Sequence, residues 1–177
     1  MFNGIIFSIG KIKTIKKNKN SFFIGIETKL KFSNKELGSS ISCDGVCLTI
    51  IKINKKLIYF YISEETLKRS NLKLIKKNQI VNLEKSLVYG ERVSGHFTQG
   101  HVDTICKIKK INILDKAWII RFEIKDKKLK KFIVEKASIS INGVSLTISK
   151  DLNNFFEITV IPHTLKLTNL KNLKIND

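Results

Sequence analysis

The sequence predicts an all-β protein made by doubling: two tandem homologous Greek-key β-barrels with short helices, the second barrel lacking its last strand. Three observations lead there. The segment Ser40-Ile-Ser-Cys-Asp-Gly-Val-Cys-Leu-Thr-Ile50 returns as Ser138-Ile-Ser-Ile-Asn-Gly-Val-Ser-Leu-Thr-Ile148, 98 positions later and identical at eight of eleven positions. Two further pairs follow: Glu65-Thr-Leu-Lys-Arg-Ser-Asn-Leu72 with His163-Thr-Leu-Lys-Leu-Thr-Asn-Leu170, and Phe2-Asn-Gly-Ile-Ile6 with Thr98-Gln-Gly-His-Val102. Between them run short stretches rich in Ile, Val, Phe and Thr with no strand–helix alternation, which favours antiparallel over parallel sheet.

Taken in order, the first copy offers strands at Phe22–Glu27, Ile41–Ile51, Leu57–Ile62 and Ile80–Leu83, and the second at Ala117–Ile124, Ile139–Ile148 and Phe155–Ile161. Asp44-Gly45 and Asn142-Gly143 interrupt the longest of these with residues that accept positive φ, as a tight turn or bulge requires. Helical pieces are brief: Glu64–Asn71, Lys127–Phe132, and a segment opened by Pro162, where a proline loses no hydrogen bond. Lysine-rich stretches at Lys11–Lys19, Lys52–Lys56, Lys107–Lys110 and Lys125–Lys131 read as solvated faces. The first copy continues past Leu72 into Ile80–Glu84, whereas the second stops at Asp177, where the counterpart of that strand would begin. The expected domains are 1–96 and 97–177, the second with an open barrel edge.

The balance of charge, Lys+Arg 33 against Asp+Glu 15 for a net +18, raises the question of nucleic acid. Only Arg69, Arg92 and Arg121 are arginine, however, and lysine accompanies abundant Ile and Asn, as an AT-rich coding sequence would produce. Phosphate-reading surfaces favour arginine's bidentate fork, so no specific nucleic-acid partner is expected, only a weak, salt-sensitive affinity for polyanions. A basic barrel that binds nucleic acid through Tyr59 and Tyr61 is the weaker rival. Cys43, Cys47 and Cys106 are odd in number and form no C-x-x-C pair, which speaks for reduced thiols and against a metal site. The N-terminus shows no secretory pattern and no apolar run approaches membrane length. A cytoplasmic protein with no membrane partner is the expectation.

Five motifs stand in order on the doubled frame: Met1-Phe-Asn-Gly-Ile-Ile6, Asp44-Gly-Val-Cys-Leu-Thr49, Ser94-Gly-His-Phe-Thr-Gln-Gly-His-Val-Asp103, Asn142-Gly-Val-Ser-Leu-Thr147 and Ile161-Pro-His-Thr-Leu165. Together they span essentially the whole chain, and the sequence resembles the riboflavin synthase family. The resemblance implies that each barrel binds one 6,7-dimethyl-8-ribityllumazine and that an active site forms where the N-terminal barrel of one subunit faces the C-terminal barrel of another. One lumazine would pass a four-carbon unit to the other, giving riboflavin and 5-amino-6-ribitylaminouracil without metal or redox cofactor. A homotrimer is implied as well, weakened if the C-terminal helix that assembles it is missing. A doubled pocket suits a reaction between two copies of one molecule, because fixing both turns a bimolecular encounter into a set geometry.

Such chemistry needs a base or proton relay at the acidic C7 methyl, a nucleophile at the ring and polar anchors for the ribityl chain. On the resemblance, Cys47 is the nucleophile or ring-facing thiol, His101 with Thr147 is the relay, and Ser40, His96 and Ser145 hold the ring and its water. The implied binding segments are Gly4, Ile5 and Ile6; Cys47, Leu48 and Thr49; Ile62, Ser63, Glu64, Glu65 and Thr66; Gly100, His101 and Val102; Lys136; Ser145, Leu146 and Thr147; and Thr159, Val160, Ile161, Pro162, His163 and Thr164. Without the motifs these residues have plainer readings. Cys47 would be a small core residue, His96 and His101 loop histidines satisfied by backbone, and the Cys-Leu-Thr and Ser-Leu-Thr triplets ordinary half-buried strand. Phe7 departs from the family, which usually carries a polar or acidic residue there. The alternative function is a lumazine- or flavin-binding relative without catalysis.

Overall fold

A computed structural model describes residues 1–177. In the first half β1 (Ser8–Lys17), β2 (Phe22–Thr28), β3 (Ser40–Cys43), β4 (Val46–Asn54), β5 (Leu57–Ile62) and β6 (Ile80–Lys85) close into an antiparallel barrel in the order β1-β2-β5-β4-β3-β6. Helix α1 (Glu64–Arg69) links the last two of these strands. In the second half β7 (Lys107–Leu114), β8 (Ala117–Glu123), β9 (Ser138–Ile141), β10 (Val144–Leu152) and β11 (Phe155–Val160) form an open sheet, β7-β8-β11-β10-β9, followed by α2 (Pro162–Leu167). The order repeats the first barrel without a counterpart of β6.

Side-chain alternation fixes which face is inside. Along β5, Ile58, Phe60 and Ile62 are buried to 1% or less, while Tyr59 and Tyr61 point outward. The predicted long strands are hairpins. Asp44 and Gly45 take φ of 47° and 83°, and Asn142 and Gly143 take 48° and 78°, both central positions being left-handed as a two-residue turn of this twist demands. Pairing register shifts between Ile12 and Thr14, Ile50 and Lys52, Ile108 and Lys110, and Ile148 and Lys150. Each half therefore bends its strands at corresponding places, which lets a sheet curl toward closure.

Strands β1 and β7, absent from the strands expected, run through two of the lysine-rich stretches, whose lysines stay partly or fully exposed as solvated faces. In β1 Ile12 is the one fully buried apolar side chain, and the bulge after it breaks the two-residue period that marks a strand in sequence. In β7 Ile108 has that place. The stretch Lys127–Phe132 is a 3₁₀ turn capped by Asp126, whose side chain accepts from Lys128 N–H.

Two apolar cores result, one per half, and the chain leaders cross between them. Ile6, which precedes the first barrel, belongs to the second core, and Val102, which precedes the second sheet, packs against the first. The halves also meet at their turn tips: a Cβ placed on Gly45 would stand 2.8 Å from Gly143 N, and the reverse distance is the same.

At the open side of the second sheet, Ile108 N–H donates to the Asp177 carbonyl at 3.0 Å and Asn176 N–H donates to the Ile108 carbonyl at 2.8 Å. Asn78, Gln79 and Ile12 make the same pair of bonds immediately before β6. Beside β9 lies a cavity of about 630 Å³, lined by Phe122, Phe156, Ile139 and Ile148 and by the leader before β7, His96, Gly100, His101 and Val102 included. No helix is long and apolar enough to cross a membrane.

Candidate active site

The crossing leaders build two corresponding clefts, each assembled from both halves. In the first, the 99–102 leader lies along the start of β4: Cys47 N–H donates to the Gly100 carbonyl at 2.8 Å. Gly100 is left-handed (φ 79°), and a Cβ there would stand 2.7 Å from Cys47 Cβ and 2.9 Å from Cys47 N. Only glycine permits this approach. The resulting cleft of about 230 Å³ is lined by Val46, Cys47, Glu65, Thr66, Arg69, Ser70, Gly100, His101 and Val102. Six of these nine were expected at the site. Cys47 and His101 thus share one cavity although 54 positions separate them in sequence.

Helix α1 forms the wall. Ser63 caps it, its hydroxyl accepting from Thr66 N–H at 3.3 Å and meeting Thr66 Oγ1 at 3.0 Å. Glu64 pairs with Lys68 at 2.7 Å and Glu65 pairs with Arg69. The expected Leu48 and Ile62 are buried in the first core, so only their backbone can serve a ligand. Ser40 sits opposite Thr49 in the β3–β4 pairing.

The second cleft repeats this frame with other chemistry. Ser145, at the place of Cys47, donates its N–H to the Gly4 carbonyl at 2.7 Å, and Gly4 (φ 74°) would place a Cβ 2.7 Å from Ser145 Cβ. His96 Nδ1 lies 2.7 Å from Ser145 Oγ, and burial lowers the histidine's pKa, which favours the neutral ring. Thr147 pairs with Ser138 across β9–β10 and is exposed. Leu146 is half-buried against the second core, and Ile6 and Val160 are within it. Thr159 is exposed on β11, and Ile161, Pro162 and His163 are exposed at the start of α2, with Thr164 partly covered. Lys136 is left-handed (φ 70°), and its N–H donates to the Ile148 carbonyl at 2.8 Å, as Gly38 does to Ile50 at 2.9 Å. His101 lines the first cleft, whereas Thr147 lies on β10, two residues beyond Ser145. Phe7 is 82% exposed, outside both cores.

Two polar groups in β6 escaped the sequence reading. Glu84, 9% exposed, accepts from Asn3 N–H at 2.6 Å through Oε1 and from Gly4 N–H at 3.0 Å through Oε2. Asn82, fully buried, joins the halves: its Nδ2 donates to the Asn142 carbonyl and to Asn169 Oδ1, both at 2.9 Å, and its Oδ1 accepts from Asn169 N–H at 2.7 Å. Asp44 completes the cluster, accepting from Asn82 N–H at 2.7 Å and Asn169 Nδ2 at 2.9 Å. Their signal was faint, since both residues alternate with Val81 and Leu83 as outward polar positions would. No group of three or more His, Cys, Asp or Glu side chains converges as a metal site would need.

A doubled antiparallel frame with twin clefts built from exchanged leaders defines a two-domain lumazine-binding-type protein, and the sequence matches the Lumazine binding domain family over residues 3–86 and 99–177. Riboflavin synthase of Buchnera aphidicola subsp. Schizaphis graminum (strain Sg) is 36% identical over 176 residues, covering 99% of this chain and 85% of the relative. Riboflavin synthase of Photobacterium leiognathi is 37% identical over 177 residues, covering 99% and 81%. The chain belongs to the riboflavin synthase family. Among solved structures, LumP complexed with riboflavin superposes with a TM-score of 0.87 at 26% identity, covering 100% of this chain and 96% of that one. LumP complexed with 6,7-dimethyl-8-(1'-D-ribityl) lumazine shares the fold, with a TM-score of 0.85 at 24% identity.

Proposed function

We propose that this protein is a riboflavin synthase, joining two molecules of 6,7-dimethyl-8-ribityllumazine by transfer of a four-carbon unit to give riboflavin and 5-amino-6-ribitylaminouracil. The observation that carries the reading is the first cleft, where a thiol and an imidazole, Cys47 and His101, are brought to one cavity by the Gly100 contact. A purely passive pocket has no need of that pair. In this reading Cys47 adds to the electrophilic pteridine ring. His101, together with Thr147 from the second cleft, moves the proton released when the C7 methyl becomes a carbanion. Because His101 lines the cleft around Cys47 while Thr147 stands beside Ser145, the complete site in this reading joins the first cleft of one subunit to the second cleft of another. A homotrimer in the cytoplasm satisfies this requirement.

Binding without turnover is the second reading, favoured by the likeness to LumP, whose structure holds riboflavin. The two separate in one assay. Purified protein mixed with 6,7-dimethyl-8-ribityllumazine should generate riboflavin absorbance and fluorescence with an equal amount of the diaminouracil product. A perturbed lumazine spectrum with no riboflavin would establish the binding protein instead.

A further inference from the structure

We propose that Glu84 is a positioning residue for the second cleft, acting through the leader Asn3–Gly4–Ile5 rather than by touching the ligand; the proposal rests on the reading of that cleft as a lumazine pocket. Glu84 stands on β6 of the first barrel, yet its two carboxylate oxygens hold the N–H groups of Asn3 and Gly4 at 2.6 and 3.0 Å. A buried carboxylate spanning consecutive backbone donors is a strong clamp, because each bond is charge-assisted. Above the clamp, the Gly4 carbonyl accepts from Ser145 N–H at 2.7 Å. Asn3 works on the other side: its carbonyl accepts from His96 N–H at 3.2 Å and its Oδ1 from Gly95 N–H at 2.7 Å. His96 in turn meets Ser145 Oγ at 2.7 Å.

Both polar groups of the second cleft are therefore set by the leader, and the leader is set by Glu84. Burial raises the pKa of this carboxyl, opposed by the backbone N–H groups of Asn3, Gly4 and Ile5. Losing the charge would turn one of the two leader bonds against the structure, since an amide presents its own donor to a backbone donor. A residue of the first barrel thus tunes the pocket of the second.

The test is Glu84→Gln in the full chain, read in two ways. Amide hydrogen exchange should accelerate at Gly4 and Ser145 and stay unchanged at Gly100 and Cys47, the corresponding pair of the first cleft; equal change at both pairs, or none, overturns the proposal. In titration with 6,7-dimethyl-8-ribityllumazine, one of two sites per chain should weaken about tenfold or more. The concentration that protects Cys47 from alkylation should remain that of the parent. Joint weakening of both sites marks a merely structural role. If the parent binds no lumazine, the pocket reading fails, while the exchange experiment still decides whether Glu84 positions the leader. Should Glu84→Gln unfold, Glu84→Asp, which keeps the charge and shortens the reach, carries the same comparisons.

Discussion

Phe2 and Thr98 are partners across the internal symmetry: Phe2 N–H donates to the Thr98 carbonyl at 2.8 Å and Thr98 N–H donates back to the Phe2 carbonyl at 3.0 Å. They occupy the same place in the two halves, so the approximate twofold axis runs between them. Phe2 is fully buried, and its ring also closes on the other leader, since a Cβ at Gly100 would meet Phe2 Cε2 at 2.9 Å. Replacing Phe2 by Ala should cost about 3–5 kcal/mol of stability and weaken both clefts together. Denaturant unfolding and lumazine titration check this. Thr98→Val, which keeps the backbone pair, should leave both readings near those of the parent.

Gly100→Ala should damage the first cleft selectively. The left-handed backbone and the 2.7 Å approach to Cys47 Cβ both exclude a methyl group, so the leader must shift, at a cost above the roughly 1 kcal/mol of an unfavourable φ alone. Gly38→Ala is the control, because Gly38 has a φ of 83° with open space where its Cβ would point. A Gly100→Ala protein with unchanged Cys47 alkylation and unchanged lumazine binding would contradict the assigned contact.

Asp44 gives stability a pH dependence. Burial, opposed by hydrogen bonds from Asn82 and Asn169, pushes its carboxyl from 3.8 up to about 7. The folded protein therefore holds this proton more tightly than the unfolded chain. The stabilisation is complete below about pH 4 and is lost as pH rises through about 7. Relative to the parent, Asp44→Asn should gain in melting temperature as pH is raised from 5 to 8, as Asn142 already holds the corresponding place in the second half. A parallel pair of curves would remove Asp44 from the titration.

Cys47→Ser should lower the turnover number more than it weakens lumazine binding, since the hydroxyl keeps the size of the thiol without its nucleophilicity. Riboflavin formation under saturating lumazine measures the first quantity and fluorescence titration the second. An unchanged rate would strip Cys47 of its assigned role.

Where the hydrophobic pattern is regular the sequence was legible: Leu57–Ile62 is β5 to the residue, and the Asp44-Gly45 and Asn142-Gly143 turns fall where the dipeptides stand. Strands β1 and β7 were hidden because bulges break their period and lysines interrupt their apolar pattern. The meeting of Cys47 with His101 was foreseen only through the motifs, since nothing local says that a leader seats on the opposite half. Ile6 and Val102 look alike in sequence, yet each packs into the core that the other precedes. Glu84 was missed for the same reason: its partners are 80 and 81 positions away, beyond the reach of any local pattern.

Gly45 and Gly143 touch backbone to backbone at the tips of their turns. Beads on a string would rock about the chain between them, cushioned by pliable side chains, but here there is no cushion. Motion between the halves must part these two turns and, beside them, the bonds from Asn82 to Asn142 and Asn169. A larger residue at either tip would wedge the halves apart and be felt in both clefts.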